Sequence, residues 1–300
     1  MTLGRPLRRA PGAWRRLTTA PLLLLACCQH RDRIVVGSKN FTESDLLGEI
    51  VAQQIERRTG VRAERRFHLG GTFVCHEAIT SGQIDLYVEY TGTAYTAVLK
   101  LPPLKDADSL RRAVAAEYAQ RFDLVWGQPF GFNNSFAILV RRSDAERHGL
   151  RRISDLATLA PRWHAGFGYE FLERTDGFPG LSRLYGLRFA APPTAMDLGL
   201  TYRALADGKV DVIAGNSTDG QIAALGLVAL DDDRGYFPPY QAAPVIRART
   251  LATHPTVVAA LTELGGRISD AEMRRLNALA DVEHRDIATV ARAWLAEHVP

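Results

Sequence analysis

Between residues 33 and 90 the chain alternates, at short and regular intervals, between strand-like runs and helical stripes, and that alternation restricts the possible folds more than any other feature. RIVVG at 33–37 is a β-branched run that closes on a Gly-Ser turn, and ESDLLGEIVAQQIERRTG then carries Leu46, Leu47, Ile50, Val51 and Ile55 on one helical face before stopping at Gly60. VRAERRF predicts a second strand, LGG a loop, TFVCHEAITSG a helix ending at Gly82, and IDLYV a third strand. Strand, helix, strand, helix, strand is the order of a parallel sheet covered by helices, because parallel neighbours can be joined only by a crossover.

A second series follows. A helix is predicted over 106–121 and a short strand over 124–126, and FAILV at 136–140 is apolar enough to be buried on both faces. ISDLATLA predicts a helix, WHAGFG a strand, GLSRLYGL a helix, Thr194 to Asp207 a helix stopped by Gly208, and VDVIAG and LVAL two strands. The closing region, from TVVAALTELGG through a capping box at Ser269 and Glu272 to ARAWLAEH, is helical. No period of 20 to 50 residues signals a solenoid. With 46% hydrophobic residues there is material for two cores, so the expectation is two α/β lobes, a helical tail and a cleft between the lobes.

The first 26 residues stand apart. MTLGRPLRRAPGAWRRL holds five arginines and no acidic residue, and LTTAPLLLLACC follows as an apolar run too short to span a membrane, the pattern of an export signal. Leu24-Leu25-Ala26-Cys27 resembles a bacterial lipobox, which makes residues 1–26 a lipoprotein signal peptide and Cys27 the lipid-attachment site. Its removal takes the formal charge from +4 to −1, so the pI of about 9.1 carries no argument for nucleic acid. Cys28 and Cys75 remain; Cys75, inside a helical pattern, suits a small buried apolar role.

Signals for chemistry are missing. There is no GxxxxGK[ST] loop, GFGYEF lacks the third glycine of a dinucleotide fingerprint, HEAIT has Thr80 where a second zinc-binding histidine belongs, and no GxSxG elbow occurs. The expectation is a protein with no catalytic residue, no cofactor and no metal.

VGSKNFTES, LGGTFVCHEAITSGQIDLYVEYTGTAY, VDVI and FPPY occur in an order that resembles one family: the solute-binding proteins of ABC importers for glycine betaine, choline, carnitine and related osmoprotectants. The resemblance covers residues 33 to 300. It implies the two-lobed periplasmic-binding-protein fold of type II, with lobe I in 33–135 and 241–300, lobe II in 136–240, and crossovers near 134–137 and 240–243. It also implies a monomer tethered by its lipid to a bacterial membrane, periplasmic or at the cell surface. Its partners would be a small quaternary amine and an ABC permease with its ATPase subunit.

A trimethylammonium group has a charge but no N–H, so aromatic faces must select it, each contributing about 0.5–2 kcal/mol. Three rings supply at most about 6 kcal/mol, less than the roughly 8 kcal/mol of micromolar affinity, so a clamp on the ligand's carboxylate has to add the rest. Carried over from the family, the ring positions fall on Tyr90, Phe136, Asn216 and Tyr240 and the clamp on Lys39, Thr93 and Arg174, while Asn134 falls where relatives place an acidic residue. Lys39 is one of four lysines among 37 basic residues, which suits a point-charge contact to an anion. Phe136 suits either cage or core, and Arg174 could instead pair with Glu173 or Asp176. Asn216 replaces a π face by an amide, which admits larger betaines such as ergothioneine, or a different small amine or amino acid on the same fold. An enzyme on a related two-lobed fold is the third reading.

Overall fold

The computed structural model describes residues 33–102 and 104–299, with residues 1, 2 and 4; the expected signal peptide, Cys27 and Cys28 lie outside the described residues. In chain order come β1 (Arg33–Gly37), α1 (Thr42–Thr59), β2 (Arg62–Arg66), α2 (Thr72–Thr80), β3 (Leu86–Tyr90) and α3 (Thr91–Thr93), which runs directly into a π-helical turn, Ala94–Val98. α4 (Ala107–Phe122) and β4 (Leu124–Trp126) follow, then β5 (Phe136–Arg141), α5 (Arg142–His148), β6 (Ala165–Gly168), α6 (Tyr169–Glu173) and α7 (Phe178–Tyr185). Next are β7 (Thr194–Met196), α8 (Leu198–Ala206), β8 (Val212–Asn216), α9 (Gln221–Ala224), β9 (Leu227–Leu230) and β10 (Ala242–Arg247). Four helices close the chain: α10 (Ala248–Thr253), α11 (Thr256–Thr262), α12 (Asp270–Asp281) and α13 (Ile287–His298).

Two five-stranded sheets result, ordered β2-β1-β3-β10-β4 and β7-β6-β8-β5-β9. In the first, β1 is parallel to β2 and β3, and β10 is antiparallel to β3 and β4. In the second, β6 is parallel to β7 and β8, and β5 is antiparallel to β8 and β9. The chain enters the second sheet at Phe136 and returns to the first at Ala242, and the two connecting segments touch where Asn133 pairs with Gln241 and the Asn134 amide donates to the Tyr240 carbonyl at 3.0 Å.

Alternation along the strands divides each sheet between two cores, since successive side chains point to opposite faces. Ile34, Val36 and Val88 enter one cluster with Leu47 and Ile50 of α1 and Trp294 of α13, while Val35, Tyr87 and Val245 enter another with Tyr118 of α4. In β5, Ile138 and Val140 face Phe167 and Leu181, and Leu139 faces Tyr202 and Leu205. Gly60, at φ +71°, ends α1, and its N–H returns to the Glu56 carbonyl at 3.0 Å.

Two local expectations differ from the structure, and one strand was not expected. Thr194 to Asp207 is a short strand followed by a helix, because the Asp197 side chain accepts from the Gly199 N–H at 2.9 Å and caps α8 at that point. ISDLATLA forms a 3₁₀ segment, Ile153–Thr158, rather than an α-helix. β10 has no counterpart among the expected strands; the ladder to β4 begins only at Val245, so Pro244 sits in a ladder on one side. No helix among the described residues is long and apolar enough to cross a membrane.

Candidate functional site

Strands β1, β3, β6 and β8 end around a cavity of about 340 Å³, at the small end of the range of about 300–1,000 Å³ for small-molecule sites. Residues following the carboxyl ends of parallel strands point into such a crevice because helices occupy the sheet faces. All eight expected residues line it: Lys39, Tyr90, Thr93, Asn134, Phe136, Arg174, Asn216 and Tyr240. Lys39 follows β1, Tyr90 ends β3, Thr93 lies in α3, Arg174 follows α6, Phe136 opens β5 directly opposite Asn216 of β8, and Tyr240 precedes β10.

The rings fall into two contacting groups. Phe136 stands at 5.8 Å and 77° to Tyr240, 4.9 Å from Phe171 and 5.7 Å from Phe237, and Tyr90 stacks with Phe41 at 6.3 Å. Phe41 and Phe171 also line the cavity. Neither was singled out in the sequence, although both lie inside quoted motifs, Phe41 in VGSKNFTES and Phe171 in GFGYEF. Protein cations already face two of the expected cage rings: Lys39 Nζ lies 5.3 Å from the Tyr90 ring centre and Arg174 Cζ 5.1 Å from that of Phe136.

The two basic clamp candidates meet carboxylates of the protein itself. Lys39 Nζ is 2.5 Å from Glu89 Oε1 and donates to Thr72 Oγ1 at 3.1 Å, with both ionic side chains almost fully buried. Arg174 grips Asp176 with two hydrogen bonds of 2.9 and 2.6 Å and reaches Thr93 Oγ1 at 3.1 Å. Of the two pairings considered for Arg174, the one formed is with Asp176. The Tyr240 hydroxyl donates to Asp176 Oδ2 at 2.6 Å, so one carboxylate holds both an expected ring and an expected clamp residue. Burial works to raise the Asp176 pKa, but the Arg174 guanidinium and these hydrogen bonds outweigh it and hold the carboxyl below its usual range.

Glu43 orders the other side. Its buried carboxylate accepts from the Tyr90 hydroxyl at 2.6 Å, Asn134 Nδ2 at 2.8 Å, the Thr218 hydroxyl at 2.5 Å and Asn277 Nδ2 at 2.7 Å. Burial pushes its pKa up against all four bonds. Asn134 Oδ1, in contrast, is buried without a hydrogen-bond partner beside the cavity. Asn216 is turned toward Asp219: its N–H donates at 2.9 Å and Nδ2 lies 3.4 Å from both carboxylate oxygens. Burial raises the Asp219 carboxyl to about 7.

Glu170, not singled out in the sequence, also lines the cavity and spans it, accepting from the backbone N–H and, at 3.0 Å, the hydroxyl of Thr72 at the start of α2. Glu170, one of two glutamates in YEFLE, carries no local signal for such a contact. Among the described residues, no group of three or more His, Cys, Asp or Glu side chains is placed to hold a metal ion.

The model of the substrate-binding domain of ABC-type glycine betaine transport systems matches residues 32–297. The chain is 32% identical to the carnitine transport binding protein of Listeria monocytogenes over 290 residues, 94% of each chain. It is 34% identical to the ergothioneine transport permease/ergothioneine binding protein of Helicobacter pylori over 263 residues, 87% of this chain and 47% of that protein. Its fold superposes with a TM-score of 0.73, at 33% identity and covering 88% of this chain and 98% of the other, on the crystal structure of a glycine betaine/carnitine/choline ABC transporter. The two mixed sheets with their helices are thus the two-lobed, type II periplasmic-binding-protein architecture, and the relatives are extracytoplasmic transport binding proteins. The chain belongs to the family of substrate-binding domains of ABC-type glycine betaine transport systems.

Proposed function

We propose that this importer subunit holds a quaternary-ammonium ligand in the 340 Å³ cleft, with Tyr90, Phe136 and Tyr240 as the principal aromatic contacts, and passes it unchanged to a permease and its ATPase. The observation that carries the reading is that Tyr90, Phe136 and Tyr240 line one cavity with Phe41 and Phe171, while its two cations, Lys39 and Arg174, are already paired with Glu89 and Asp176. Such a cavity offers π faces and acceptors to a cation that has no N–H to donate. Asn134 Oδ1, buried and without a partner, adds a partial negative charge on the same side as Tyr90.

Lobe I comprises 33–135 and 241–300 and lobe II 136–240, hinged at the adjoining segments around Asn133 and Gln241. The mature protein is a monomer, lipid-anchored through Cys27 and facing the extracytoplasmic side. Ligands range from choline and glycine betaine to carnitine and larger betaines such as ergothioneine, Asn216 leaving the fourth wall polar. Calorimetric titration of the mature chain tests the reading: saturable binding of a quaternary amine is expected, with mass spectrometry recovering the ligand unaltered. No binding by any quaternary amine up to millimolar concentration refutes it, and tighter binding of an amine lacking a quaternary nitrogen replaces the ligand class.

A further inference from the structure

The two cations that line the cleft, and the Thr72 N–H and hydroxyl beside them, already face carboxylates of the protein. Lys39 has Glu89 at 2.5 Å, Arg174 has Asp176 at 2.6 Å, and the Thr72 N–H and hydroxyl have Glu170. The three carboxylates are not equivalent. Glu89 and Asp176 lie behind the wall with side chains 0% and 5% exposed, whereas the Glu170 side chain is 34% exposed, lines the cavity and has one cation nearby, Arg174 Nη1 at 3.6 Å. Its seat is shaped for it: a Cβ on Gly71 would stand 2.1 Å from Glu170 Oε1, so the glycine leaves room for the carboxylate at the first turn of α2. Glu173 and Asp197 also line the cavity, so two cations meet five carboxylates there when the partners Glu89 and Asp176 are included.

We propose that Glu170 is a specificity-determining residue: it fills the anion-accepting seat at Thr72 and tunes the cleft to quaternary amines of net positive charge, of the choline type, over carboxylate-bearing zwitterions. The assignment rests on the reading of the cleft as a quaternary-amine site. A zwitterion entering here has to displace Glu170 from Thr72 or place its carboxylate beside it, while a cation gains from the same charge.

Calorimetric titration of the mature chain, Glu170→Gln and Glu170→Ala with choline and with glycine betaine tests it, circular dichroism confirming that the variants fold. The wild type is expected to favour choline, and each variant to shift the choline-to-betaine affinity ratio toward betaine by about tenfold, the scale of one partly screened unit charge. Ratios unchanged in both variants while amine binding persists overturn the Glu170 assignment alone, as does a wild type that favours betaine. Absence of quaternary-amine binding by all three proteins overturns the reading of the cleft and the assignment with it.

Discussion

Replacing Asp176 by asparagine separates what a buried charge does for stability from what it does for recognition. Asp176 receives Arg174 Nε at 2.9 Å, Arg174 Nη2 at 2.6 Å and the Tyr240 hydroxyl at 2.6 Å, and the Arg174 side chain is 4% exposed. Removing one partner of such a pair leaves an uncompensated buried charge, at a cost of about 3–5 kcal/mol. Against a total stability of roughly 5–15 kcal/mol, that is a loss easily read from urea midpoints. Asp176 has a lowered pKa in the folded state, so its stabilisation is present above the unfolded carboxylate value of about 3.9 and is lost as pH falls through the lower folded value. Wild type and variant should therefore differ most at neutral pH and converge in acid. The variant also uncovers a cation facing the cleft, so glycine betaine should restore more stability to Asp176→Asn than it adds to the wild type, and choline should not. A neutral-pH loss below about 1 kcal/mol, a difference that persists undiminished in acid, or equal rescue by choline refutes the argument.

Three other perturbations follow from the same geometry. Tyr90→Phe and Tyr240→Phe keep the rings but leave the Glu43 and Asp176 oxygens short of a donor, so amine affinity should persist while stability falls by about 1–3 kcal/mol; alanine at either position should also lower affinity by about 2- to 30-fold, measured by calorimetry. Gly92→Ala places a Cβ 2.6 Å from the Pro239 carbonyl oxygen and 2.7 Å from Tyr240 Cδ1, so it should displace the ring, cost about 1–3 kcal/mol and weaken amine binding. Asp219 titrates near 7 when folded, above its unfolded value, so its contribution is full below about 3.9 and lost as pH rises through 7. Asp219→Asn should remove up to about 1.4 kcal/mol per pH unit of that decline, seen in urea midpoints between about pH 4 and 7.

Much of the scaffold was legible because it is written in local pattern. The stripe through Leu46, Ile50 and Val51, the stop at Gly60 and the alternation in RIVVG each arise from residues within a few positions of one another. The misreadings differ in cause: the cap at Asp197 is a local signal, made to Gly199 two residues on, whereas β10 is decided by pairing with β3 and β4, distant in the chain. The YVEYTGTAY segment shows both sides. Its motif pointed to Tyr90 and Thr93, and the structure places both on the cavity wall, yet Glu89 between the tyrosines, the partner of Lys39, had no pattern to announce it.

Periodicity and turn residues by themselves determined an α/β chain of two series with a cleft, and the residues that edge the cleft came from the resemblance of its motifs to a known family. Tertiary structure alone decided how the charges of that cleft are spent. Lys39 meets Glu89 across 50 positions, Thr72 meets Glu170 across 98, and Asn277 reaches Glu43 across 234. A helical or strand period is a property of a short segment, whereas the pairing of buried charges depends on distances through space, which the sequence acquires only when both sheets are folded.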